Sequence, residues 1–398
     1  MAENKDKKVL NVPNLRFPEF QGEWVVSRLS EYLNENKERN KKGLFNKTDV
    51  LSVSGDFGIV NQIDLLGRSF AGASVLPYHV VRLGNIVYTK SPLKEYPYGI
   101  VKANTGKVGI VSTLYAVYSV NDNANDKFIE YYFSLANRAN RYFKPIVRIG
   151  AKHDMKIGNQ EVLANQVVFP TVKEQEKIAD FLSLIDERIS TQNKIIEDLK
   201  KLKSAIIEME YSHNTKSNLH IGDFIEQTSK RNKDGAIQNV LSVSNSQGFI
   251  QQSEQFENRS VASDDTSNYK IVERNSFAFN PARINVGSIA RLATFDRGIV
   301  SPMYICFRTR DNLFPEYLDY YFESKQFSTE IQKRLEGSVR QCLSFEGLCN
   351  IPLSIPTIEV QQQTGKRLST LAQEIKLEID FLELLQKQKK FLLYQMFI

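Results

Sequence analysis

Two long amphipathic segments dominate the pattern of hydrophobic and polar positions along the chain. In residues 174–211, apolar side chains recur at steps of four and three, with polar Gln192 on the stripe and a slip near Leu202. The same spacing returns in residues 360–397. Such a heptad pattern predicts two long helices, each with a narrow apolar stripe that needs a partner helix. The first stripe comprises Ile178, Leu182, Ile185, Ile189, Ile196, Leu199, Leu202, Ile206 and Met209.

The two stripes are in register with each other at one sequence offset. Subtracting 186 from positions of the second stripe places Leu368 on Leu182 and Ile375 on Ile189, and Gln361 falls on Gln175. We therefore predict that the two helices pair. Any two amphipathic helices can be slid into agreement, but here the repeat extends beyond the helices. The predicted pairing residues are Ile185, Ile189, Ile196, Leu199, Leu371, Ile375, Leu382 and Leu385.

The segments before the two helices repeat one another as well. Residues 240–244 are identical to residues 50–54, 298–301 match 109–112, and 320–322 match 131–133. A period near 190 residues is too long for a solenoid and indicates duplicated domains. Alternating β-branched and aromatic residues predict strands in each copy. In the first copy the predicted elements are strands at 50–54, 80–88, 109–120 and 167–170 and a helix at 128–135, which could continue through the polar sequence ANRANRY.

These patterns predict an α+β fold of two pseudo-symmetric mixed α/β domains separated by two long antiparallel coiled-coil helices. The predicted boundaries are 1–171 for the first domain, 172–212 for the central helix, 213–357 for the second domain and 358–398 for the C-terminal helix. Because each helix needs the other and a folded domain separates them, an antiparallel pair with one domain at each end is the simplest arrangement.

Charge is distributed unevenly over a chain of 398 residues with a net charge of +6. Residues 1–173 carry a net charge of +8, whereas residues 212–359 carry −1. The first domain therefore has the charge of a polyanion-binding domain, and the second must rely on local clusters. The charged N-terminus and the absence of a long apolar run predict a cytoplasmic protein. Three widely spaced cysteines predict neither a zinc site nor a disulfide framework.

Catalytic and cofactor motifs are incomplete in this sequence. Residues 280–283 (NPAR) have Arg283 where adenine methyltransferases place an aromatic residue to stack on a flipped base. Residues 104–107 (NTGK) lack the Gly and the Ser or Thr of a phosphate loop. The four histidines have no metal-ligand spacing. Residues 152–154 (KHD) could act in acid–base chemistry, but a polar turn is the simpler interpretation. We therefore predict a protein without catalytic activity, metal or cofactor.

Polar and basic turns recur at corresponding places in both copies and are the candidate binding sites. Residues 89–102 correspond to residues 280–291, and the turn at 148–152 corresponds to the turn at 337–341. Arg, Lys, Asn and Gln are the side chains that read base edges or hold phosphates. The predicted DNA-binding residues are Lys90, Lys94, Lys102, Arg148, Lys152, Arg283, Asn285, Arg291, Arg340 and Gln341.

Taken together, the chain resembles the specificity (S) subunit of type I restriction–modification systems over essentially its whole length. The resemblance rests on the two target-recognition-like domains, on the helix entries FPTVKEQEKIADFLSLID and IPTIEVQQQTGKRLSTLA, and on the helix ends LKKLKSAIIEMEY and QKKFLLYQMFI. One departure is Val360, which stands where the first entry has Glu174. A protein-binding scaffold with two heads on a coiled-coil spacer is the alternative; it predicts no affinity for DNA.

The resemblance implies more than the residues alone establish. It implies that each domain reads one half of a bipartite, asymmetric target in double-stranded DNA, and that the paired helices set the spacing. It implies two methyltransferase subunits and two endonuclease/translocase subunits as partners. S-adenosylmethionine, ATP and magnesium would belong to those partners and not to this chain.

Overall fold

The computed structural model describes residues 10–149, 155–212, 218–245, 247–252, 265–337 and 341–398. The chain forms two compact units. One unit comprises Met1–Thr191 and Leu382–Ile398, and the other comprises Gln192–Phe381.

The first unit is built on a four-stranded antiparallel sheet in the order β2–β9–β6–β7. Two-stranded pairs β1–β12, β3–β4, β5–β8 and β10–β11 complete its strands. The strands are β1 (Val25–Arg28), β2 (Leu33–Glu35), β3 (Leu51–Ser54), β4 (Gly58–Asn61), β5 (His79–Val81), β6 (Ile86–Tyr88), β7 (Val101–Ala103), β8 (Gly109–Val111), β9 (Ala116–Val120), β10 (Arg148–Ile149), β11 (Met155–Lys156) and β12 (Gln166–Phe169).

Helices α1 (Gln62–Leu66), α2 (Asp126–Phe133) and α3 (Ala136–Phe143) accompany these strands. The strand predicted at 80–88 is two strands, because Gly84 adopts a left-handed conformation (φ +76°) and the Asn85 side chain accepts a hydrogen bond from the Arg82 amide. The strand predicted at 109–120 is also divided, by a turn at residues 112–115. The predicted helix does not run unbroken through ANRANRY, since Leu135 has an extended backbone between α2 and α3.

The second unit repeats the four-stranded sheet and two of the two-stranded pairs of the first. Its four-stranded sheet has the order β13–β20–β17–β18, and its pairs β14–β15 and β16–β19 correspond to β3–β4 and β5–β8. The predicted duplication is therefore confirmed. The strands are β13 (Ile225–Thr228), β14 (Leu241–Ser244), β15 (Gly248–Gln251), β16 (Lys270–Glu273), β17 (Phe277–Phe279), β18 (Ile289–Arg291), β19 (Arg297–Val300) and β20 (Ile305–Thr309).

The remaining helices include the two long ones that the heptad pattern predicts. They are the long α4 (Val172–Tyr211), the short α5 (Pro315–Tyr321), α6 (Lys325–Gln332) and α7 (Phe345–Cys349), and the long α8 (Ile358–Gln395). Within the described residues, no helix combines the length and the apolar character that crossing a membrane requires.

The long helices pack together in opposite directions within each unit. In the first unit, Asp186 forms an ion pair with Lys389, while Leu182, four residues earlier, shares a core with Leu392, three residues later. In the second unit, Gln192 contacts Glu378, whereas Glu210 contacts Arg367. As α4 runs forward, its contacts fall on progressively earlier residues of α8, so the two helices are antiparallel. The predicted fold class is therefore confirmed.

Burial along the helices follows the predicted stripes with one correction. Ile196, Ile375 and Leu385 are buried, but Leu202 and Met209 are 50% and 59% exposed and lie outside the stripe. The slip near Leu202 shifts the inward face to Ile206 and Ile207. The other predicted pairing residues are half-buried, namely Ile185, Ile189, Leu199, Leu371 and Leu382. Which of these side chains touch one another stays a prediction.

The start of each long helix is held by a buried glutamine. The Gln175 side chain donates to the carbonyls of Pro170 and Asn123 and accepts from the amide of Asn125. Gln361 makes the same three bonds, to the carbonyls of Pro356 and Asn312 and from the amide of Phe314. These repeated bonds fix the helix entry against a loop of the preceding domain in both units.

Candidate nucleic-acid interface

The basic loops of the first unit leave the four-stranded sheet at one edge. Strands β2 and β6 both pair antiparallel with β9, so they run in the same direction and end at the same side. Asn36 and Lys37 follow the end of β2, and Thr89 and Lys90 follow the end of β6. The backbone topology therefore brings two polar segments, distant in sequence, to one end of the sheet.

The second unit places its loops in the same way. Strands β13 and β17 flank β20 with the same directions. Residues 229–235 follow β13, and residues 280–288 follow β17. The correspondence between the units is thus given by strand register as well as by sequence.

The loop after the first strand has an equivalent anchor in both units. Asn40 is 2% exposed; its side chain donates to the Phe45 carbonyl and accepts from the Phe45 amide. Asn232 is 0% exposed and makes the same pair of bonds with Ile237. The predicted DNA-binding residues include none from these loops, although R-N-K-x-G recurs at residues 39–43 and 231–235. Each anchored loop carries several basic side chains, namely Lys37, Arg39, Lys41 and Lys42 in the first unit and Lys230, Arg231 and Lys233 in the second.

A third segment packs beside these two loops. In the first unit it is the β10–β11 hairpin and the turn after it, where the Asn159 side chain accepts a hydrogen bond from Lys90. In the second unit, the amide of Leu343 donates to the Pro281 carbonyl at 3.0 Å. We name these sets the first loop surface (residues 36–43, 89–94, 148–149 and 155–161) and the second loop surface (residues 229–235, 280–288, 336–337 and 341–346).

Two of the predicted DNA-binding residues occupy equivalent positions, and each forms an ion pair with carboxylates. Lys102 on β7 forms an ion pair with Glu130 at 3.0 Å. Arg291 on β18 contacts Asp319 at 3.2 Å and Glu316 at 3.3 Å, and its side chain is 9% exposed. Burial raises the pKa of Asp319, and the adjacent Arg291 opposes that shift. Both cations thus join their sheet to the following helix, and DNA contact by either of them stays a prediction.

The other predicted residues differ in their exposure. Lys94 and Arg148 are exposed in the first unit, and Arg283, Asn285 and Gln341 are exposed in the second. Lys90 is half-buried, and burial lowers its pKa while Glu35 and Glu161 oppose that shift. Lys152 and Arg340 lie outside the described residues. DNA contact by any of these side chains stays a prediction.

A buried histidine on β5 lies beside the first loop surface. His79 is 1% exposed, pairs through its backbone with Arg39, and leaves its Nδ1 atom without a hydrogen-bond partner. Burial, with Arg39 and Lys90 nearby, lowers the pKa of His79 to about 4. The imidazole is therefore neutral at neutral pH, and the positive charge here comes from Lys and Arg.

Two of the segments that resembled catalytic motifs, residues 104–107 and 280–283, form turns, and the third, residues 152–154, lies outside the described residues. Asn104 is 0% exposed and donates to the carbonyls of Arg82 and Lys107, whereas Asn280 accepts from the amide of Ala282. Both side chains thus serve local backbone groups. Within the described ranges, no group of three or more His, Cys, Asp or Glu residues is placed to hold a metal ion.

Each copy of the duplicated domain thus carries a polar loop surface at the end of its four-stranded sheet. A family model described as the type I restriction modification DNA specificity domain matches residues 81–201 and 221–387. The chain therefore belongs to this family, the non-catalytic DNA-recognition component of type I restriction–modification systems. The prediction of a non-catalytic specificity subunit is confirmed at this level.

Solved structures show the same fold at low sequence identity. The S subunit of a type I restriction–modification system from M. genitalium matches with a TM-score of 0.59 and 14% identity, over 97% of this chain and 99% of that one. A chain from a study of complex assembly and conformational transition of the type I R-M system matches with a TM-score of 0.51 and 14% identity, over 94% and 97%.

Proposed function

We propose that this chain reads a bipartite, asymmetric DNA target and directs methyltransferase and endonuclease subunits to it. Each loop surface would bind one half-site, within domains bounded at residues 1–171 and 213–357. The helices at residues 172–212 and 358–398 would join the two readers. We expect the complex to act in the cytoplasm on double-stranded DNA.

One observation carries this proposal: the two units share a frame but differ where the loop surfaces need side chains. Glu35 pairs across the sheet with Tyr118, and Gln227 occupies the same place opposite Phe307. Two residues after β6 the first unit has Lys90, and two residues after the equivalent strand β17 the second unit has Pro281. A common frame with different loop chemistry is what two different half-sites require, since base readout depends on side-chain donors and acceptors.

Exposed apolar residues on the helices support docking of other subunits. In the first unit, Leu384 and Phe391 on α8 are 61% and 58% exposed and are spaced seven residues apart. In the second unit, Leu202 and Met209 on α4 have the same spacing and are 50% and 59% exposed. A heptad-spaced exposed stripe suits a further helix. We assign it to two methyltransferase subunits; two endonuclease/translocase subunits would join them, with S-adenosylmethionine, ATP and magnesium bound by these partners.

The test is to co-express the chain with the methyltransferase subunit from its own operon and to sequence the methylome of the host. We expect one motif made of two short, different half-sites around an unread gap. DNA binding by the purified complex should weaken steeply with salt, because phosphate contacts release counterions. A complex that leaves no motif and binds DNA no better than the methyltransferase alone would instead favour the protein scaffold.

Helix length provides a second test. Inserting four residues after Lys194 would lengthen α4 by roughly 6 Å. The preferred gap should then grow by about one or two base pairs with both half-sites unchanged, since base pairs are spaced at about 3.4 Å. Methylation at the original spacing would show that helix length does not set the gap between the half-sites.

A further inference from the structure

Glu35 holds two amide side chains at the first loop surface. Its carboxylate oxygens accept hydrogen bonds from Asn159 Nδ2 and from Gln160 Nε2, each at 2.8 Å. The Tyr118 hydroxyl donates to the Asn159 carbonyl at 2.9 Å and fixes the backbone of the same turn. Strand β2, strand β9 and the turn after β11 therefore meet at one polar cluster.

The carboxylate determines which way the amides face. An ionised carboxylate only accepts hydrogen bonds, so the NH2 groups of Asn159 and Gln160 must point towards Glu35. The oxygen of Asn159 is used by Lys90. In the part of the chain that the structure describes, the side-chain oxygen of Gln160 has no such partner, and Gln160 is exposed. Gln160 thus presents an oriented amide, with a free oxygen and one remaining N–H, to solvent.

We infer that Gln160 reads an adenine in the half-site bound by the first loop surface, and that Glu35 is the positioning residue that orients it. In the major groove, adenine offers a donor at N6 beside an acceptor at N7, and an amide matches this pair with its oxygen and its N–H. The inference rests on the proposed function, because it assumes that the first loop surface meets DNA.

In its described residues, the second unit has no equivalent of the hydrogen bond between Glu35 and Gln160. It therefore provides a matched control. Both units have an antiparallel pairing here, Arg148 with Lys156 and Glu336 with Cys342, and the sequence offset of 186 that relates the helix entries places Lys156 on Cys342. Four residues later the first unit has Gln160 and the second has Glu346. Gln227 replaces Glu35, and Phe345 replaces Asn159. An orientation effect should therefore be confined to the half-site of the first unit.

The experiment compares methylation motifs of the full complex carrying the wild-type chain, Gln160→Ala, Glu35→Gln or Glu346→Ala. For Gln160→Ala we expect one adenine of one half-site to lose roughly tenfold to hundredfold of its discrimination against other bases, the range for a bidentate base contact. Glu35→Gln should relax the same position less, because an amide at residue 35 can accept or donate and no longer fixes its neighbour. Glu346→Ala should leave that position unchanged.

The outcomes separate this inference from the proposed function. If the wild-type complex gives no motif, the proposed function fails. If the wild type gives a bipartite motif and Gln160→Ala keeps every base, or relaxes a base other than adenine, the inference alone is overturned. Relaxation of the same base by Glu346→Ala would also overturn it. Because Gln160 is exposed, its alanine variant should fold and keeps the test decisive even if Glu35→Gln is unstable.

Discussion

The first and second loop surfaces stand on the same frame and share the R-N-K-x-G segment, yet they differ in the side chains that follow β6 and β17 and in those of the third segment. Sheet order, the buried Asn40 or Asn232 anchor and the helix-entry glutamine are common to both units. The first unit has a Glu35–Asn159–Lys90 cluster and a buried His79 at or beside its loop surface, whereas the second unit has Gln227, Phe345, Pro281 and Lys270 at those places.

This difference separates two roles within one duplicated fold. Side chains that bond to the backbone must fit fixed neighbours, and the loop-anchor asparagine and the helix-entry glutamine are accordingly the same in both copies. Side chains at the sheet end face solvent and are constrained only by what they bind. Changes to the frame should therefore cost stability in either unit, whereas changes to a loop surface should alter one half-site.

The largest effect should come from charging the inward face of a long helix. Ile375 is 8% exposed, so Ile375→Asp should lower the free energy of unfolding of the second unit by about 3 kcal/mol or more, because it buries an unpaired charge. Leu377→Asp, two residues away at 63% exposure, should change it by less than about 0.5 kcal/mol. Denaturant unfolding measures both, and equal losses would contradict the assigned helix face.

Acid should weaken the first unit through His79. With a folded pKa of about 4 against an ordinary 6.5, His79 is neutral in both states above pH 6.5. As the pH falls towards 4, His79 binds a proton in the unfolded chain but not in the folded unit. The free energy of unfolding therefore falls by up to about 3 kcal/mol. Hydrogen exchange in β5 against pH should show this loss. His79→Gln should remove it; an unchanged pH profile in that variant would contradict the assignment.

Two equivalent glycines should report that the frame is equally tight in both units. A Cβ on Gly109 would lie 2.6 Å from the Asp49 carbonyl, and one on Gly298 would lie 2.4 Å from Leu241 Cδ1. Alanine at either site should cost about 1–3 kcal/mol through overpacking. Gly55→Ala, where nothing lies within 4 Å, is the control. Thermal unfolding of the three variants tests this, and a harmless Gly298→Ala would show that Leu241 can move aside.

Arginine variants should separate the half-sites. Arg148→Ala should impair recognition of the half-site bound by the first unit, and Arg283→Ala that of the other, each by about 1–3 kcal/mol if the side chain reads a base. Competition binding with DNA altered in one half-site at a time measures this. If both variants weaken the same half-site, the assignment of one half-site to each unit is wrong.

The smallest effect should come from lysines of the anchored loops. Lys41 and Lys233 hold the same place in the R-N-K-x-G repeats. Replacing either with alanine should reduce the slope of log affinity against log salt by about one and leave the motif unchanged, as expected for a phosphate contact. A changed motif in either variant would instead place that lysine at a base edge.

The sequence predicted the long helices and the repeated strands well, because hydrophobic periodicity and internal repetition reflect which residues are buried. The heptad stripes located α4 and α8 to within two residues at each end, and the repeated segment 50–54 and 240–244 lies on β3 and β14. It did not predict the partners of the matching cations. Lys102 and Arg291 drew attention as matching cations, yet Glu130 and Asp319 match at the same offset and hold them. A comparison of the acidic as well as the basic residues of the two copies would have predicted these ion pairs.

Other features of the site depend on tertiary contacts that no local pattern encodes. The meeting of Glu35 with Gln160 joins residues 125 positions apart in the chain. The difference at the helix entries also needed the structure. Glu174 is 1% exposed and holds Arg16 and the Trp24 indole, whereas Val360 is 41% exposed. The charged residue therefore anchors the segment before β1 and is not part of the shared helix entry.

The helix-entry glutamines have a consequence for how such a protein can change. Gln175 and Gln361 bond only to main-chain atoms of the domain that precedes each helix, so the joint does not depend on that domain's side chains. A different domain whose loop follows the same backbone path could be inserted between the two helix entries, and the glutamine side chains could form the same hydrogen bonds with it. New target specificities could then arise by recombination of whole domains, without prior adjustment of the helices that carry them.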